Sequence, residues 1–254
     1  MARLALDDAA WSGAWRTRSV AEKSLLCFGL LTLAITSPGP AFSGAVLICA
    51  IACALLIARV PRSTYCVAIA APATFLLISL PAIAVSIGAN PIDAVASLGP
   101  VHLESAGVEQ AIAVGVRSVA AMAAMLMLPL TTPMVDLLDG MRRLRVPEAL
   151  IDIAALVYRM LFSLLDSVAA IREAQTARLG YAGSRQARNS FGLLGAAVLQ
   201  RAWVRSQRLE QGLLGRGYAG SLATLNEPVP VDRRFVLLTV LMLLTLTAGS
   251  VVAR

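Results

Sequence analysis

Histidine occurs once in this 254-residue chain, as His102, lysine occurs once, as Lys23, and aromatic residues make up only 5%. Each scarcity removes a class of protein. The four cysteines, Cys27, Cys49, Cys53 and Cys66, all fall in apolar stretches, with no C-x-x-C spacing and no histidine nearby. Cys49 and Cys53 share a helix face, but two soft ligands alone make a poor metal site. Buried free thiols behave as small hydrophobes, so a metal centre built by this chain alone is not expected. Basic residues without interleaved aromatics exclude the stacking surface of a nucleic-acid binder. No G-x-x-x-x-G-K-[ST] occurs, so the chain is not its own ATPase. Charged residues are 15% of the total, where a soluble domain carries about 25%.

Apolar residues fill the space, at 58% of the chain with a mean hydropathy of +0.75. So large an excess is not one globular core. It implies several membrane spans and excludes a cytosolic enzyme, a disordered tail protein and a secreted scaffold. The net charge of +7 comes from 21 Arg and Lys23 against 15 acids. In a membrane protein such an excess orients loops toward the cytoplasm.

Five stretches are apolar enough to span, at 21–36, 41–58, 65–87, 108–130 and 235–252. The first ends in Ser37-Pro38-Gly39-Pro40, a strong breaker, so the first two form a tight hairpin. Pro72 and Pro81 should kink the third. No signal cleavage site follows Leu25, so the first span is expected to be retained. Basic residues mark Arg3, Arg16, Arg18 and Lys23 at the N-terminus, then Arg59 and Arg62, while 88–107 has none and holds Asp93 and Glu104. Fourteen Arg follow between 131 and 234. Basic loops stay inside, which places the N-terminus and 131–234 in the cytoplasm and 88–107 and the C-terminus outside.

The fourth span carries Arg117 among Gly115, Ser118, Ala120, Ala121, Ala123 and Ala124. Small residues at these spacings let helices approach closely. Arg117 either caps a carbonyl, pairs with Glu109 or marks a transport path, the structural readings being favoured.

The expected fold is an all-α integral membrane protein. It has about five transmembrane helices, with long amphipathic cytoplasmic helices between the fourth and fifth spans. The chain divides into 1–130 with four spans, 131–234, and a last helix in 235–254. Within 131–234 the pattern predicts helices at 134–144, 147–179, and from a cap at Asn189 or Ser190 to Leu214. The middle one would be roughly 45–50 Å long. Its charges Asp152, Arg159, Asp166 and Glu173 recur every seven residues and hold one stripe. Such a helix suits the inner membrane face, packed on partners, better than lipid. The last carries Arg201, Arg205 and Arg208 on one face, the expected partners of the acidic stripe.

The two long helices end alike. Residues 173–184 read E-A-Q-T-A-R-L-G-Y-A-G-S and 210–221 read E-Q-G-L-L-G-R-G-Y-A-G-S. Aligned without a gap, Glu173 matches Glu210 and the two G-Y-A-G-S runs coincide, with Arg178 and Arg216 offset by one. A glycine after a helix is an ordinary stop and an Arg beside it favours the dipole. Neither accounts for five identical residues at both ends. Two equivalent tips suit two equivalent partner sites.

With these residues, nearly the whole chain resembles the transmembrane T component of energy-coupling factor (ECF) importers, within that group the cobalt-type CbiQ family. The likeness rests on Trp15-Arg16, Glu22-Lys23, the early spans, Tyr158-Arg159, and two Ala-Arg-Gly-like motifs. Those motifs fall on Ala177-Arg178-Leu179, followed by Gly180, and on Gly215-Arg216-Gly217. They depart from the pattern at Leu179, where glycine is expected, and at Gly215, where alanine is.

The resemblance implies a non-catalytic transporter subunit in the bacterial cytoplasmic membrane. Two ATP-binding-cassette ATPases, which bind ATP and Mg, would receive the Arg-bearing tips. A substrate-binding S component of CbiM type, with a small CbiN-like subunit, would lie against the long helices. Tyr158, Arg159, Asp166 and Arg205 are the subunit-interface candidates. The chain itself would bind no cofactor. Nickel-type and biotin-type T subunits share this layout. From other classes, a membrane enzyme lacks a His/carboxylate cluster here, and a self-contained carrier has only Arg117 and the kinked third span to support it.

Overall fold

The computed structural model describes residues 5–87, 94–98, 101–217 and 230–252. The chain is all-α in class, a membrane protein with a small sheet attached, and divides into two compact units. One comprises 5–136 with the C-terminal helix; the other lies within 137–217.

In the first unit, the short helix α1 (Ala5–Ser12) and a 3-10 turn (Ala14–Thr17) precede α2 (Val20–Ile35). The breaker acts as its residue types require. Gly39 is extended, and Pro40 opens α3 (Pro40–Ala52) at the position where its missing N–H is harmless. Helix α3 widens into a π-helical turn, Cys53–Ile57. The Ala14 N–H donates to Ala58 O at 3.2 Å, pinning the N-terminal turn to that end. Helix α4 (Arg62–Ala84) holds both Pro72 and Pro81 inside it.

Helix α5 (Ser105–Thr131) is the centre of this unit and packs against α2, α3 and α4. Its buried face is made of Ala111, Gly115, Ala120, Ala123 and Ala124, then Met127 and Leu130. Small side chains are what allow three helices to close on a fourth. A Cβ at Gly115 would lie 3.1 Å from Leu80 Cδ1. Helix α9 (Arg233–Val252) packs on α2 and α3, seating Leu243 where a Cβ at Gly29 would come within 2.4 Å of Leu243 Cδ1.

Arg117 donates from Nη2 to Ser37 O at 2.8 Å. It therefore caps a carbonyl of the α2–α3 turn, which Ser43 also braces by a 2.7 Å bond to Ser37 Oγ. Between α4 and α5, part of the segment expected to be a loop is a small antiparallel sheet. Strands β1 (Val85–Ile87), β2 (Ala94–Leu98) and β3 (Val101–Glu104) lie in the order β1-β3-β2. Val85 pairs with Leu103, and Leu98 with Val101. Asp93, and Arg3 at the N-terminus, lie outside the described residues.

The second unit contains most of α6 (Met134–Arg143), with α7 (Glu148–Ala177) and α8 (Ser184–Leu214) folded as a hairpin. Helix α8 begins several residues before Asn189 and Ser190. The extended Gly183 (φ −149°) starts it, and Ser190 is engaged elsewhere, as described below.

Among the described residues, four helical segments are long and apolar enough to cross a membrane: Pro40–Ile57, Arg62–Ala84, Ser105–Thr131 and Glu148–Ala177. Three of these overlap expected spans, and Glu148–Ala177 joins them although a cytoplasmic helix was expected there. Helix α2 has 16 residues, about 24 Å, short of a ~30 Å hydrocarbon core. Helix α7 qualifies because charges seven residues apart leave an 18-residue window with no more than two of them and a mean hydropathy of 1.6.

Candidate functional site

The two ends of the α7–α8 hairpin carry the arginines singled out by the sequence. Helix α7 closes by a bond from the Leu179 N–H to Thr176 O (3.0 Å) and one from the Gly180 N–H to Gln175 O (2.8 Å). That pair is the Schellman arrangement, which needs one left-handed residue between the helix and the returning chain. Leu179 occupies that position with φ 59°.

Helix α8 ends with the Gly215 N–H on Gln211 O (3.0 Å), the Arg216 N–H on Leu213 O (3.1 Å) and the Gly217 N–H on Leu214 O (3.1 Å). Gly217 has φ 72°. The left-handed residues are therefore Leu179 and Gly217, each immediately after an arginine. In backbone register Ala177-Arg178-Leu179 superposes on Gly215-Arg216-Gly217, and the one-residue offset of the gapless alignment disappears. Arg178 and Arg216 are both exposed. Of the second G-Y-A-G-S run, residues 218–221 lie outside the described residues.

The first tip is braced by side chains to which the sequence assigned no such role. Ser190 Oγ donates to Gly180 O (2.8 Å), Gln175 Nε2 donates to Ser190 O (2.9 Å), and the Tyr181 hydroxyl donates to Gln175 Oε1 (2.8 Å). A Cβ at Gly180 would fall 2.7 Å from Ser190 Oγ and 2.9 Å from Gln175 O, so only glycine permits this approach. Gln175 and Tyr181 sit inside the repeated segment. That repeat was the signal available for them, while nothing in the sequence marks Ser190 as a hairpin brace.

Within the stripe along α7, Asp152 is buried and pairs with Arg142 of α6 (Nη2 to Oδ1, 3.4 Å), a partner the sequence did not suggest. Arg205 donates to the Ser163 hydroxyl of α7. Tyr158 is half-buried and packs edge-on against Phe162, with centroids 5.1 Å apart, while Arg159 and Asp166 are exposed. Leu150, Ile153, Val157 and Leu161 form an exposed apolar line on the same helix.

In the other unit, Glu22 and Lys23 are almost completely buried, at 1% and 0% exposure. Lys23 Nζ donates to Thr131 O (3.0 Å), tying the start of α2 to the end of α5. Glu22 Oε1 accepts the Asp232 N–H (2.6 Å), and Arg18 Nη1 donates to Asp232 Oδ2 (2.6 Å). Trp15 meets Phe235 edge-on at 5.5 Å. The Trp15-Arg16 and Glu22-Lys23 segments therefore fasten the N-terminus to the end of α5 and the entrance of α9. The Arg18 guanidinium, with the Arg234 N–H, holds the Asp232 carboxyl below the usual carboxylate range. Among the described residues, no group of three or more His, Cys, Asp or Glu is arranged to hold a metal ion.

A bundle of long apolar helices with an α-helical hairpin ending in two like tips defines an all-α, multi-pass membrane protein. The chain belongs to the CbiQ family of cobalt transport proteins, whose family model matches residues 12–225. It is 38% identical over 228 residues to the cobalt transport protein CbiQ of Rhodobacter capsulatus, covering 89% of each chain. It is 31% identical over 221 residues to the Salmonella typhimurium protein of the same name, covering 85% of this chain and 97% of that one. A putative fused cobalt transport protein CbiMQ of Methanocorpusculum labreanum is 29% identical over 228 residues, which is 87% of this chain and 38% of that longer protein.

Proposed function

We propose that the chain is the transmembrane T subunit of an ATP-driven ECF importer for cobalt ions. It passes the closing motion of two ATP-binding-cassette ATPases to a separate substrate-binding membrane subunit. The observation that carries this reading is the pair of tips. Arg178 and Arg216 each stand exposed on a helix end, one residue before a left-handed turn, as two copies of one docking element would. A guanidinium entering a groove of an ATPase makes bidentate bonds to carboxylates that an ammonium does not. ATP and Mg are held by the ATPases.

The S component lies against α7, where Leu150, Ile153, Val157 and Leu161 supply an apolar seam and Tyr158, Arg159 and Asp166 its polar rim. The fused CbiMQ relative supports a CbiM-like partner, and a small CbiN-like subunit would complete the membrane part. The basic N-terminus and 131–234 face the cytoplasm in this reading. Cobalt follows from the relatives' names; nickel is the alternative cargo, because this chain does not choose the metal.

Charge reversal tests the docking role. Arg178→Glu with Arg216→Glu removes two interface ion pairs, each worth about 2–5 kcal/mol. Binding of the chain to its ATPases should weaken at least ~30-fold, and uptake should cease, while helical content stays unchanged. ATPase binding at normal strength in the double variant would refute the role of the tips.

A further inference from the structure

The α7–α8 hairpin contains a cleft of about 680 Å³ whose chemistry the docking of the two tips does not use. Three arginines line it, Arg201, Arg205 and Arg208, together with the polar side chains of Ser167 and Gln200. Leu164 and Val204 complete the lining with apolar surface, and no acidic residue belongs to it.

Three exposed guanidiniums on one face, spaced at i, i+4 and i+7, repel one another weakly in water, and an anion held among them removes that repulsion. Arg205 donates to the Ser163 hydroxyl of α7, one residue before the lining residue Leu164, which directs its guanidinium toward α7. A ligand that satisfies this lining needs negative oxygens for the arginines, an acceptor for the Gln200 amide, a donor for Ser167, whose own hydroxyl donates to Ser163 O (3.0 Å), and an apolar part for Leu164 and Val204. On α8 the arginines are interleaved with exposed apolar residues, Leu199 at 70% and Trp203 at 67% exposure. Basic side chains beside an exposed tryptophan and leucine are the composition of a helix lying at a membrane surface. The chain is a membrane protein, so the anion available at high local concentration is a lipid phosphate.

We propose that this cleft is a binding site for the headgroup of an anionic phospholipid of the phosphatidylglycerol type. The phosphate lies among Arg201, Arg205 and Arg208. The glycerol hydroxyls face Ser167 and Gln200, and the upper acyl chain runs over Leu164 and Val204. Basic pockets between helices select anionic headgroups in this way, each basic residue near the surface adding to the attraction. The site rests on the cleft and the membrane class, not on the docking of the tips.

The test uses the full chain reconstituted in bilayers of equal parts phosphatidylglycerol and phosphatidylcholine. Lipid retained after mild detergent extraction is counted by native mass spectrometry. The wild type should retain phosphatidylglycerol over phosphatidylcholine by about tenfold or more. Arg201→Gln with Arg205→Gln and Arg208→Gln should abolish that preference. Arg185→Gln with Arg188→Gln, which removes charge from α8 away from the cleft lining, should keep it. If the triple variant loses helicity, Arg201→Gln with Arg208→Gln leaves the Arg205–Ser163 bond in place and gives the same reading.

Equal retention of the two lipids by the wild type, or unchanged preference in the cleft variants, would overturn the assignment. So would displacement of the lipid by millimolar inorganic phosphate, which would mark a free-anion site. Weakened ATPase binding in the cleft variants, without any lipid preference in the wild type, would give the cleft to an acidic protein surface instead.

Discussion

Leu179 is the residue at which the motif register becomes readable. A left-handed backbone costs a residue with a Cβ roughly 1–2 kcal/mol and glycine almost nothing. The sequence offers Gly180 one position later, and an alignment by identity places the glycines opposite each other. The backbone places the arginines opposite each other instead, because Gly180 is held by its close approach to Ser190 and Gln175 and Leu179 takes the strained turn. Leu179→Gly should therefore stabilise the tip by about 1 kcal/mol. Slower amide exchange at Gly180 would record it, and faster exchange would contradict it.

Asp232 makes a second prediction at this scale. Its carboxyl is held below the ordinary value of about 3.9, first by the Arg18 hydrogen bond. The contribution of that carboxylate is thus present in full above the ordinary value and is lost only as pH falls through the lower folded one. Trp15 fluorescence, read in a chain with Trp11 and Trp203 replaced by Phe, should stay constant from neutral pH down to about 4 and change below it. Asp232→Asn should show the low-pH signal at neutral pH. A transition near pH 6 would contradict the assignment.

At the scale of elements, hydropathy and breakers were enough to find α3, α4 and α5 within a few residues. Long apolar runs between Pro and Gly leave a helix few other places to stop. The start of α8 was not legible, since Asn189 and Ser190 are the residue types that favour caps. Their alternative, Gly183, caps by backbone extension with no side-chain bond. Nor was the partner of Asp152 legible. A seven-residue period fixes a face, not which neighbouring helix lies across it, and α6 supplies Arg142.

The small residues of α5 were legible as a close-packing face, and the structure puts Ala120, Ala123 and Ala124 at zero exposure. Ala120→Leu inserts three carbons where no space exists. It should destabilise the first unit by about 1–3 kcal/mol, read as a lower thermal midpoint in detergent. An unchanged midpoint would mean that α5 is not the packing centre described.

For the whole molecule, composition alone pointed to the membrane class, because 58% apolar residues with 15% charge depart in both directions from the roughly 45–50% and 25% of a soluble domain. The candidate site was half legible. The repeated segments marked both tips, while the brace of Gln175, Tyr181 and Ser190 depends on contacts made only when the hairpin closes. Membership of the CbiQ family agrees with a chain that has paired tips and an exposed apolar seam but no nucleotide motif.

The central claim is that this chain works as the link between ATPases and a substrate-binding membrane subunit. It is tested most directly by purifying the tagged chain from native membranes and identifying what accompanies it by mass spectrometry. Two ATP-binding-cassette ATPases and a small integral membrane protein should co-purify with it, and the identity of that membrane protein fixes the cargo. Recovery of the chain alone, stable and active in metal uptake without ATPases, would contradict the account and make it a self-contained carrier.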